Sequence, residues 1–351
     1  MKYSPFLKLK LNEILAIRDL DEGVYKELMP VFDVPKPYNL NESEVMKSIE
    51  TGKKHLIRYW NREKLFFLDS YDITDSIRIN GMHVYKHVLN EFGDFNFIPI
   101  LGINRHPDHL SAVVEHLKKS SITSVAIRLT TDDFSDFSLI QSELSELIQK
   151  LGQIKLLLIL DSRLINSEGA KKDIVRDILN FLPKVLSQFS FEGIIISGSS
   201  INANVGEHSD TNSEVSIERF EWQIFEDVKS AIPSLKIIYG DYGIVSPNYS
   251  DADIELEFIQ NVATPKVFYT DRNLIYLYRG GAFKTHRRGR KQYFDIAKRV
   301  VSQSFYRGSN YSSGDRFIFE KSLEQGSPSG QGNWYRMLNN SHISFICKEL
   351  L

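Results

Sequence analysis

The sequence predicts an α/β protein built as a closed (β/α)8 TIM-like barrel with a C-terminal α+β appendage. Eight short apolar, β-branched or aromatic runs alternate with amphipathic segments before about residue 264, as in repeated strand–helix units. Several runs are apolar at consecutive positions, for example Leu156–Leu160 and Ile194–Ile196, so helices must cover both faces of the sheet. Eight units in about 265 residues also match the usual barrel size of about 250 residues. We therefore expect residues 1–264 to form the barrel and residues 265–351 the appendage.

The predicted barrel strands follow one another at intervals that leave room for a helix between them. We expect them at Phe6–Lys10, Met29–Asp33, Leu65–Asp69, Phe97–Ile103, Ser124–Leu129, Ile154–Asp161, Gly193–Ser197 and Leu235–Tyr239. Pro107 and Asp108 suit the first turn of a helix that runs to about Lys119. Amphipathic patterns predict further helices over residues 76–91, 135–151, 170–186, 216–231 and 252–261. Residues 52–61 are either one more strand or an irregular insert.

An open doubly wound sheet is the alternative architecture, in which one or two weak strands would leave the ring unclosed. The first two units are the least regular, since Pro30, Pro35 and Pro37 crowd the second strand. No Gly-x-Gly-x-x-Gly follows the first strand, so the main sign of a dinucleotide-binding open sheet is missing. We therefore favour the barrel.

The strand–helix alternation stops at Pro265, where the predicted appendage begins. Its expected elements are strands at 266–270 and 273–278, a helix over 290–304, and strands at 316–320 and 342–347. We expect this part to fold back onto the barrel, because Phe317, Trp334 and Phe345 would otherwise be exposed to water.

Composition excludes several classes of protein. The 43 Lys and Arg against 45 Asp and Glu give a net charge of −2, so the whole molecule does not attract nucleic acid or anionic lipid. A single cysteine, Cys347, permits no internal disulfide and no cysteine-based zinc cage. It suits a reducing cytoplasm. The first 17 residues carry Lys8, Lys10 and Glu13 and lack the apolar core of a signal peptide. No apolar run approaches the roughly 20 residues of a membrane span, and we expect a cytoplasmic protein.

Charged residues end many of the predicted strands, and the carboxyl ends of barrel strands form the face where active sites lie. The candidate catalytic residues are Lys8, Lys10, Asp33, Arg128, Asp161 and Asp241. Their carboxylates suit a divalent cation such as magnesium, or acid–base catalysis. Each aspartate has an alternative role, because Asp also starts turns and caps helices. The interpretation that all of these aspartates act only in turns and helix caps is less favoured.

Ligand-binding candidates follow the later strands. Ser197, Ser199 and Ser200 end the seventh strand, where barrels often bind phosphate. The other candidates are Arg163, Tyr242, Arg279 and His342. Arginine at these positions suits a phosphate or carboxylate. A plain turn is the alternative for the serine loop.

Residues 279–291, RGGAFKTHRRGRK, form the only strongly basic segment of the chain. Its cations, with Phe283 and Tyr293 nearby, suit a nucleic-acid backbone or a polyphosphate. The alternative is a solvated loop whose charge is balanced by acidic neighbours.

Short motifs at both ends of the chain resemble the beta-protein family, described from T-even phage and found in bacterial genomes. They are Tyr3-x-Pro5-x-Leu7-Lys8-x-Lys10-x-x-Glu13-x-x-Ala16-Ile17, residues 29–35 (MPVFDVP), Tyr278-Arg279-Gly280, Trp334-Tyr-Arg336 and Asn340-Ser-His342-Ile343. The chain departs from the pattern in having Asn12 in place of glycine and Asp33 where glutamate is frequent. The resemblance implies a setting of phage, mobile elements and antiphage defence, and no particular reaction.

Two classes of function are compatible with these features. In the first, the barrel binds or hydrolyses a phosphorylated or nucleotide-like molecule. In the second, a non-catalytic component recognises a partner protein of a defence system through the appendage and its basic loop. A less favoured third is a pyridoxal-phosphate enzyme with Lys8 or Lys10 as the Schiff base. Whether the chain is an enzyme stays open, since barrels host many chemistries.

Overall fold

A computed structural model describes residues 2–249 and 263–351. The strands, numbered along the chain, are β1 (Tyr3–Lys8), β2 (Val31–Asp33), β3 (Phe66–Asp69), β4 (Arg78–Ile79), β5 (Met82–His83), β6 (Phe97–Leu101), β7 (Ser124–Thr130), β8 (Lys155–Leu164), β9 (Gly193–Ser199), β10 (Ser213–Glu218), β11 (Ile237–Asp241), β12 (Lys266–Thr270) and β13 (Leu274–Arg279). The helices are α1 (Leu11–Arg18), α2 (Glu22–Glu27), α3 (Glu42–Tyr59), α4 (Val84–Glu91), α5 (Pro107–Leu117), α6 (Thr131–Phe134), α7 (Phe137–Leu151), α8 (Glu168–Leu186), α9 (Phe220–Ala231), α10 (Gln292–Val301), α11 (Ser313–Ser322) and α12 (Gln331–Phe345).

Eight parallel strands close a barrel in the order β1-β11-β9-β8-β7-β6-β3-β2. Neighbours in space are therefore neighbours in the chain, apart from β4, β5 and β10, which lie outside the ring. The predicted (β/α)8 TIM-like barrel is confirmed. No helix in the described part of the chain is long and apolar enough to cross a membrane.

Side chains alternate between the barrel interior and the surrounding helices, as they must along a strand. The interior core is closed and apolar, and consists of Phe6, Val31, Phe67, Ile98, Ile100, Ala126, Leu157, Ile159, Ile195, Ile238 and Tyr242. Two positions after Phe6, Val31, Phe67, Ala126 and Ile159, the next inward side chains are charged. The apolar interior thus ends in a charged layer at the carboxyl ends of the strands.

A second, smaller sheet lies beside the barrel. Strand β10 lies in the connection between β9 and α9. It pairs antiparallel with β13, which in turn pairs antiparallel with β12. Helices α10, α11 and α12 share a core with this sheet, around Trp334 and Tyr293, whose rings stack with centroids 4.6 Å apart. Helix α12 also contacts α1 of the barrel. The sheet therefore draws strands from both sides of residue 265.

Three strand predictions were wrong. Residues 52–61 belong largely to α3, which ends at Tyr59. Residues 316–320, expected as a strand, belong to α11. Residues 342–347, also expected as a strand, belong to the end of α12 and the π-helical turn that follows it. Helix α12 is buried on nearly all sides, because it packs against α1, α11 and β12. A fully buried helix has no polar stripe, so its apolar run imitates a strand.

Two predicted helices are shorter than expected. The helix predicted from residue 76 begins at Val84, after the β4–β5 hairpin. Asn80 and Gly81 form the hairpin turn with φ of 50° and 76°, which is the left-handed backbone that Asn-Gly turns adopt. The helix predicted from residue 216 begins at Phe220, because the preceding residues form β10. The predicted helix at 252–261 lies outside the described residues.

Candidate functional site

The charged layer centres on Arg128, which projects from β7 into the barrel and is buried. Its Nη1 donates to Asp33 Oδ1 at 3.0 Å and Asp69 Oδ2 at 2.9 Å. Its Nη2 donates to Asp161 Oδ2 at 2.7 Å and to the Tyr242 hydroxyl at 2.8 Å. Burial alone would lower the pKa of Arg128, but Asp33, Tyr242 and Asp161 outweigh it and raise that pKa. The guanidinium group of Arg128 is thus bound by carboxylates from three strands, β2, β3 and β8.

Three more cations balance the remaining charge of this layer. Lys8 binds Asp72 and lies 3.4 Å from Asp33. Arg105 Nη2 donates to Asp69 at 3.1 Å. Arg163 lies 3.6 Å from Asp72. Four carboxylates therefore face four cations, and we call this group of eight the charged ring: Lys8, Asp33, Asp69, Asp72, Arg105, Arg128, Asp161 and Arg163.

The aromatic side chain of Tyr71 lies over three guanidinium groups of the charged ring. Its centroid lies 4.1 Å from the guanidinium carbon of Arg128, 4.6 Å from that of Arg163 and 5.0 Å from that of Arg105. Cation–π contacts of this kind stabilise buried guanidinium groups. Tyr71 also lines a cavity of about 400 Å³ on the β6–β7 side, together with Arg105 and Arg128.

Asp33 and Asp161 meet at Arg128 as the sequence predicts, but Asp241 does not join them. Tyr239 and Asp241 point away from the barrel interior, whereas Ile238 and Tyr242 point into it. Asp241 Oδ2 accepts from the Tyr239 hydroxyl at 2.8 Å and lies 2.9 Å from His342 Nε2. Asp241 also accepts from the Tyr3 hydroxyl. Asp241 is therefore buried between the barrel and α12.

His342 bridges this buried carboxylate to the second sheet, since its Nδ1 lies 2.8 Å from Thr270 Oγ1. Burial raises the pKa of Asp241, but His342 and Arg219 outweigh burial and hold that pKa below its usual range. The observed hydrogen-bond partners of His342, a predicted ligand-binding residue, are Asp241, Thr270 and Tyr3, all outside the charged ring.

The predicted serine loop is in fact the end of β9, which contains Ser197 and Ser199, and its hydroxyl groups mostly bind within the protein. Ser199 Oγ donates to the Val245 carbonyl at 2.9 Å, and Ser200 Oγ donates to Glu221 at 2.7 Å. Among the described residues, buried Ser197 Oγ has no hydrogen-bond partner. Arg279 binds the Ser209 carbonyl, on the second sheet and outside the charged ring.

Lys8 and Lys10 line a different opening at the barrel mouth, a cavity of about 570 Å³ that we call the mouth cavity. Its walls come from β1, the start of α1, the loop after β11 and the start of α12: Lys8, Lys10, Leu11, Asn12, Glu13, Val245, Ser246, Asn248, Tyr249, Gln331, Gly332 and Tyr335. The absence of a side chain at Gly332 lets the two helix starts approach closely, because a Cβ there would stand 2.7 Å from Asn12 Nδ2.

Glu13 is the acidic side chain in the wall of the mouth cavity, and it is only 5% exposed. The Tyr335 hydroxyl donates to its Oε1 at 3.3 Å. Burial raises the pKa of Glu13 to about 7, and the attraction of Lys10 only partly opposes this. A carboxyl group with this pKa exchanges a proton readily at neutral pH.

Sequence reasoning did not select Glu13, Asp69, Asp72, Tyr71, Arg105, Tyr249 or Tyr335 for the site. The alternation of β3 places Asp69 on the same face as Phe67, which is a signal the sequence contains. Gln331 and Tyr335 had no such signal, because their place follows from how α12 docks. Among the residues described, no three His, Cys, Asp or Glu side chains are placed to hold a metal ion. Of the carboxylates predicted to bind magnesium, Asp33 and Asp161 face arginine and lysine, and Asp241 faces His342.

Comparison with known proteins adds a family and a distant structural likeness. The profile of the Beta protein family matches residues 3–348. No curated protein matches the chain. The arginine decarboxylase of Paramecium bursaria Chlorella virus, solved with agmatine, is 8% identical over 80% of this chain and 85% of its own, with a TM-score of 0.38. A likeness this low carries no argument about function. Because the family profile spans nearly all of the sequence, the chain belongs to the Beta protein family.

Proposed function

We propose that the mouth cavity binds a small phosphorylated or nucleotide-like molecule, with its phosphate held by two helix N-termini and Lys10. The observation that supports this is the convergence of α1, α12, Lys8 and Lys10 on one cavity. The charged ring then acts as the rigid floor of the site, because its cations are already neutralised.

The two helix starts offer free backbone N–H groups. Lys10 is the N-cap of α1 and Gly330 the N-cap of α12, and no described side chain caps either helix. The first-turn amides of an α-helix have no partner inside the helix, and the helix dipole favours an anion there. An anion beside both starts therefore meets several N–H donors at once.

Lys10 supplies the charge that is available to a ligand. Lys8 is committed to Asp33 and Asp72, whereas Lys10 is exposed and makes no ion pair with any carboxylate of the described residues. Lys10 Nζ lies 5.9 Å from the Tyr249 ring. The Tyr249 and Tyr335 rings add apolar surface suited to a planar base, and a 570 Å³ cavity is within the usual range for small ligands.

The Lys10→Ala variant tests the proposal. We expect the wild type to bind adenosine monophosphate in low salt, and Lys10→Ala to bind it about 10-fold more weakly, because a charge-assisted hydrogen bond is lost. Isothermal titration calorimetry measures both affinities. Lys54→Ala, an exposed lysine of α3, is the matched control and should bind as the wild type does.

Two results would refute this function. One is the absence of nucleotide and inorganic phosphate binding by the wild type at low salt; the other is equal affinity of the wild type and Lys10→Ala. Phosphate release in the same samples distinguishes a hydrolase from a binding protein. The phage and antiphage-defence setting stays a prediction from the family resemblance.

A further inference from the structure

The basic segment 279–291 carries an exposed set of cations on the second sheet's side of the molecule. Arg287, Arg290 and Lys291 are exposed, and the segment contains no Asp or Glu. Arg288 is the exception, since it binds Asp295 at 2.7 Å and lies 3.6 Å from Glu324. Arg287, Arg290 and Lys291 form no ion pair within the part of the chain that the structure describes.

One of these cations, Arg290, lies next to the mouth cavity. Arg290 Nη1 is 3.9 Å from the position that a Cβ on Gly330 would take. Gly330 is the N-cap of α12, and the next two residues, Gln331 and Gly332, line the mouth cavity. Arg290 therefore lies beside the N-cap of α12. This position is within one helical turn, about 5.4 Å along the axis, of the residues that line the cavity.

We propose that Arg287, Arg290 and Lys291 hold the backbone of a single-stranded nucleic acid whose terminal phosphate occupies the mouth cavity. The inference rests on the proposed function and extends it from a mononucleotide to the end of a strand. In a strand that keeps the stacking of a duplex, successive phosphates are about 3.4 Å apart along the axis. A helical turn thus covers about two phosphates, so the next phosphates reach the basic segment.

The chemistry of the segment favours nucleic acid over a membrane. Arginine guanidinium groups match phosphate oxygens in pairs. The segment offers no exposed large apolar side chain for insertion into a bilayer. Arg290 is held over the Phe283 ring, 5.2 Å from its centroid, which limits its freedom before binding. A single strand is favoured because its unpaired terminal base is free to enter the cavity beside Tyr249 and Tyr335.

The triple variant R287S/R290S/K291S tests the inference. Fluorescence anisotropy measures the affinity for a single-stranded 12-nucleotide DNA with a 5′-phosphate across a range of salt concentrations. We expect the variant to bind at least 10-fold more weakly than the wild type. The slope of log affinity against log salt concentration should be smaller by about 2, because each phosphate contact with a single strand releases about 0.7 counterion and three contacts are lost. Adenosine monophosphate affinity should stay within twofold of the wild type.

A matched control removes the same charge from α8, in the variant K172S/R176S/K184S, whose three side chains are exposed. It should bind the oligonucleotide as the wild type does. Unchanged thermal unfolding of both variants shows that they are folded. A triple variant of the basic segment that keeps wild-type affinity and salt slope overturns the inference.

Other outcomes separate this inference from the proposed function. Equal affinity for 5′-phosphate and 5′-hydroxyl oligonucleotides overturns capture of the strand end. Binding to phosphatidylserine vesicles in place of the oligonucleotide overturns nucleic acid as the partner. Nucleotide binding that depends on Lys10, without any oligonucleotide binding, leaves the proposed function standing and refutes the extended surface.

Discussion

At the residue scale, pairing of charges decides which strand-end side chains are available to a ligand. Arg128 has the position expected of a phosphate clamp, but Asp33, Asp69 and Asp161 already satisfy it. Breaking such a buried set leaves unpaired charges, which costs about 3–5 kcal/mol. The exposed Lys10 is the cation that remains available to an anion, and the buried Glu13, whose pKa burial raises to about 7, is the neighbouring group whose charge can change near neutral pH.

Glu13→Gln tests the unusual carboxyl group. In the folded protein the pKa of Glu13 is about 7, against an ordinary value of 4.5, so the folded state holds more protons between these values. The carboxyl group therefore lowers stability as the pH rises from about 4.5 to 7. We expect Glu13→Gln to match the wild type near pH 4.5 and to be more stable by about 2–3 kcal/mol at pH 8.

Urea unfolding at several pH values measures this difference. Glu50→Gln, on the exposed face of α3, is the control and should follow the wild type at every pH. If the stability difference between Glu13→Gln and the wild type does not grow with pH, the carboxyl group of Glu13 titrates normally.

At the element scale, strands buried on both faces were predictable and helices buried on all sides were not. Consecutive apolar residues in β8 and β9 required cover on both faces, which led to the barrel. The same signal in α12 led to a false strand, because nothing local shows that α12 is enclosed by α1, α11 and β12. The period of two places Asp161 inside and Asp241 outside, but only the register of neighbouring strands reveals which face is which.

Helix α12 runs from the mouth cavity to the buried Asp241. The variant His342→Ala tests whether His342 stabilises the fold at Asp241 or contributes to ligand binding at the cavity. Removing the imidazole takes one hydrogen-bond partner from each of the buried Asp241 and Thr270, so we expect a loss of about 3 kcal/mol in unfolding free energy. Nucleotide affinity should stay near that of the wild type, since Gln331 and Gly332 lie about three turns away on the helix. Thermal unfolding and calorimetry give the two values.

The half-buried His55 of α3 serves as control, because its Nδ1 has no partner among the described residues. His55→Ala should lose less than 1 kcal/mol, roughly the range for sites away from buried networks. Full stability of His342→Ala with lost nucleotide affinity would return His342 to the binding site, as first predicted.

At the scale of the whole molecule, the barrel and the appendage are interleaved. Strand β10 leaves the barrel to pair with β13, and α12 returns to pack on α1. Asn340 Nδ2 donates to the Ala16 carbonyl at 3.0 Å, and Arg336 binds Asp19. The two predicted segments thus share a sheet and a buried polar network, neither of which is visible in the local sequence pattern.

This interleaving predicts the behaviour of fragments. A fragment of residues 1–264 leaves β10 without its partner strand and Asp241 without His342, while α1 loses the apolar cover of α12. Unpaired strand edges and exposed apolar faces promote aggregation, so we expect this fragment to be insoluble or to lack a cooperative unfolding transition. Co-expression with residues 265–351 should restore a soluble complex, because both halves of the shared sheet are then present. Circular dichroism during heating distinguishes the outcomes. A fragment of residues 1–264 that unfolds cooperatively by itself would show that the barrel folds without the appendage, and that the contacts around Asp241 and β10 add little to its stability.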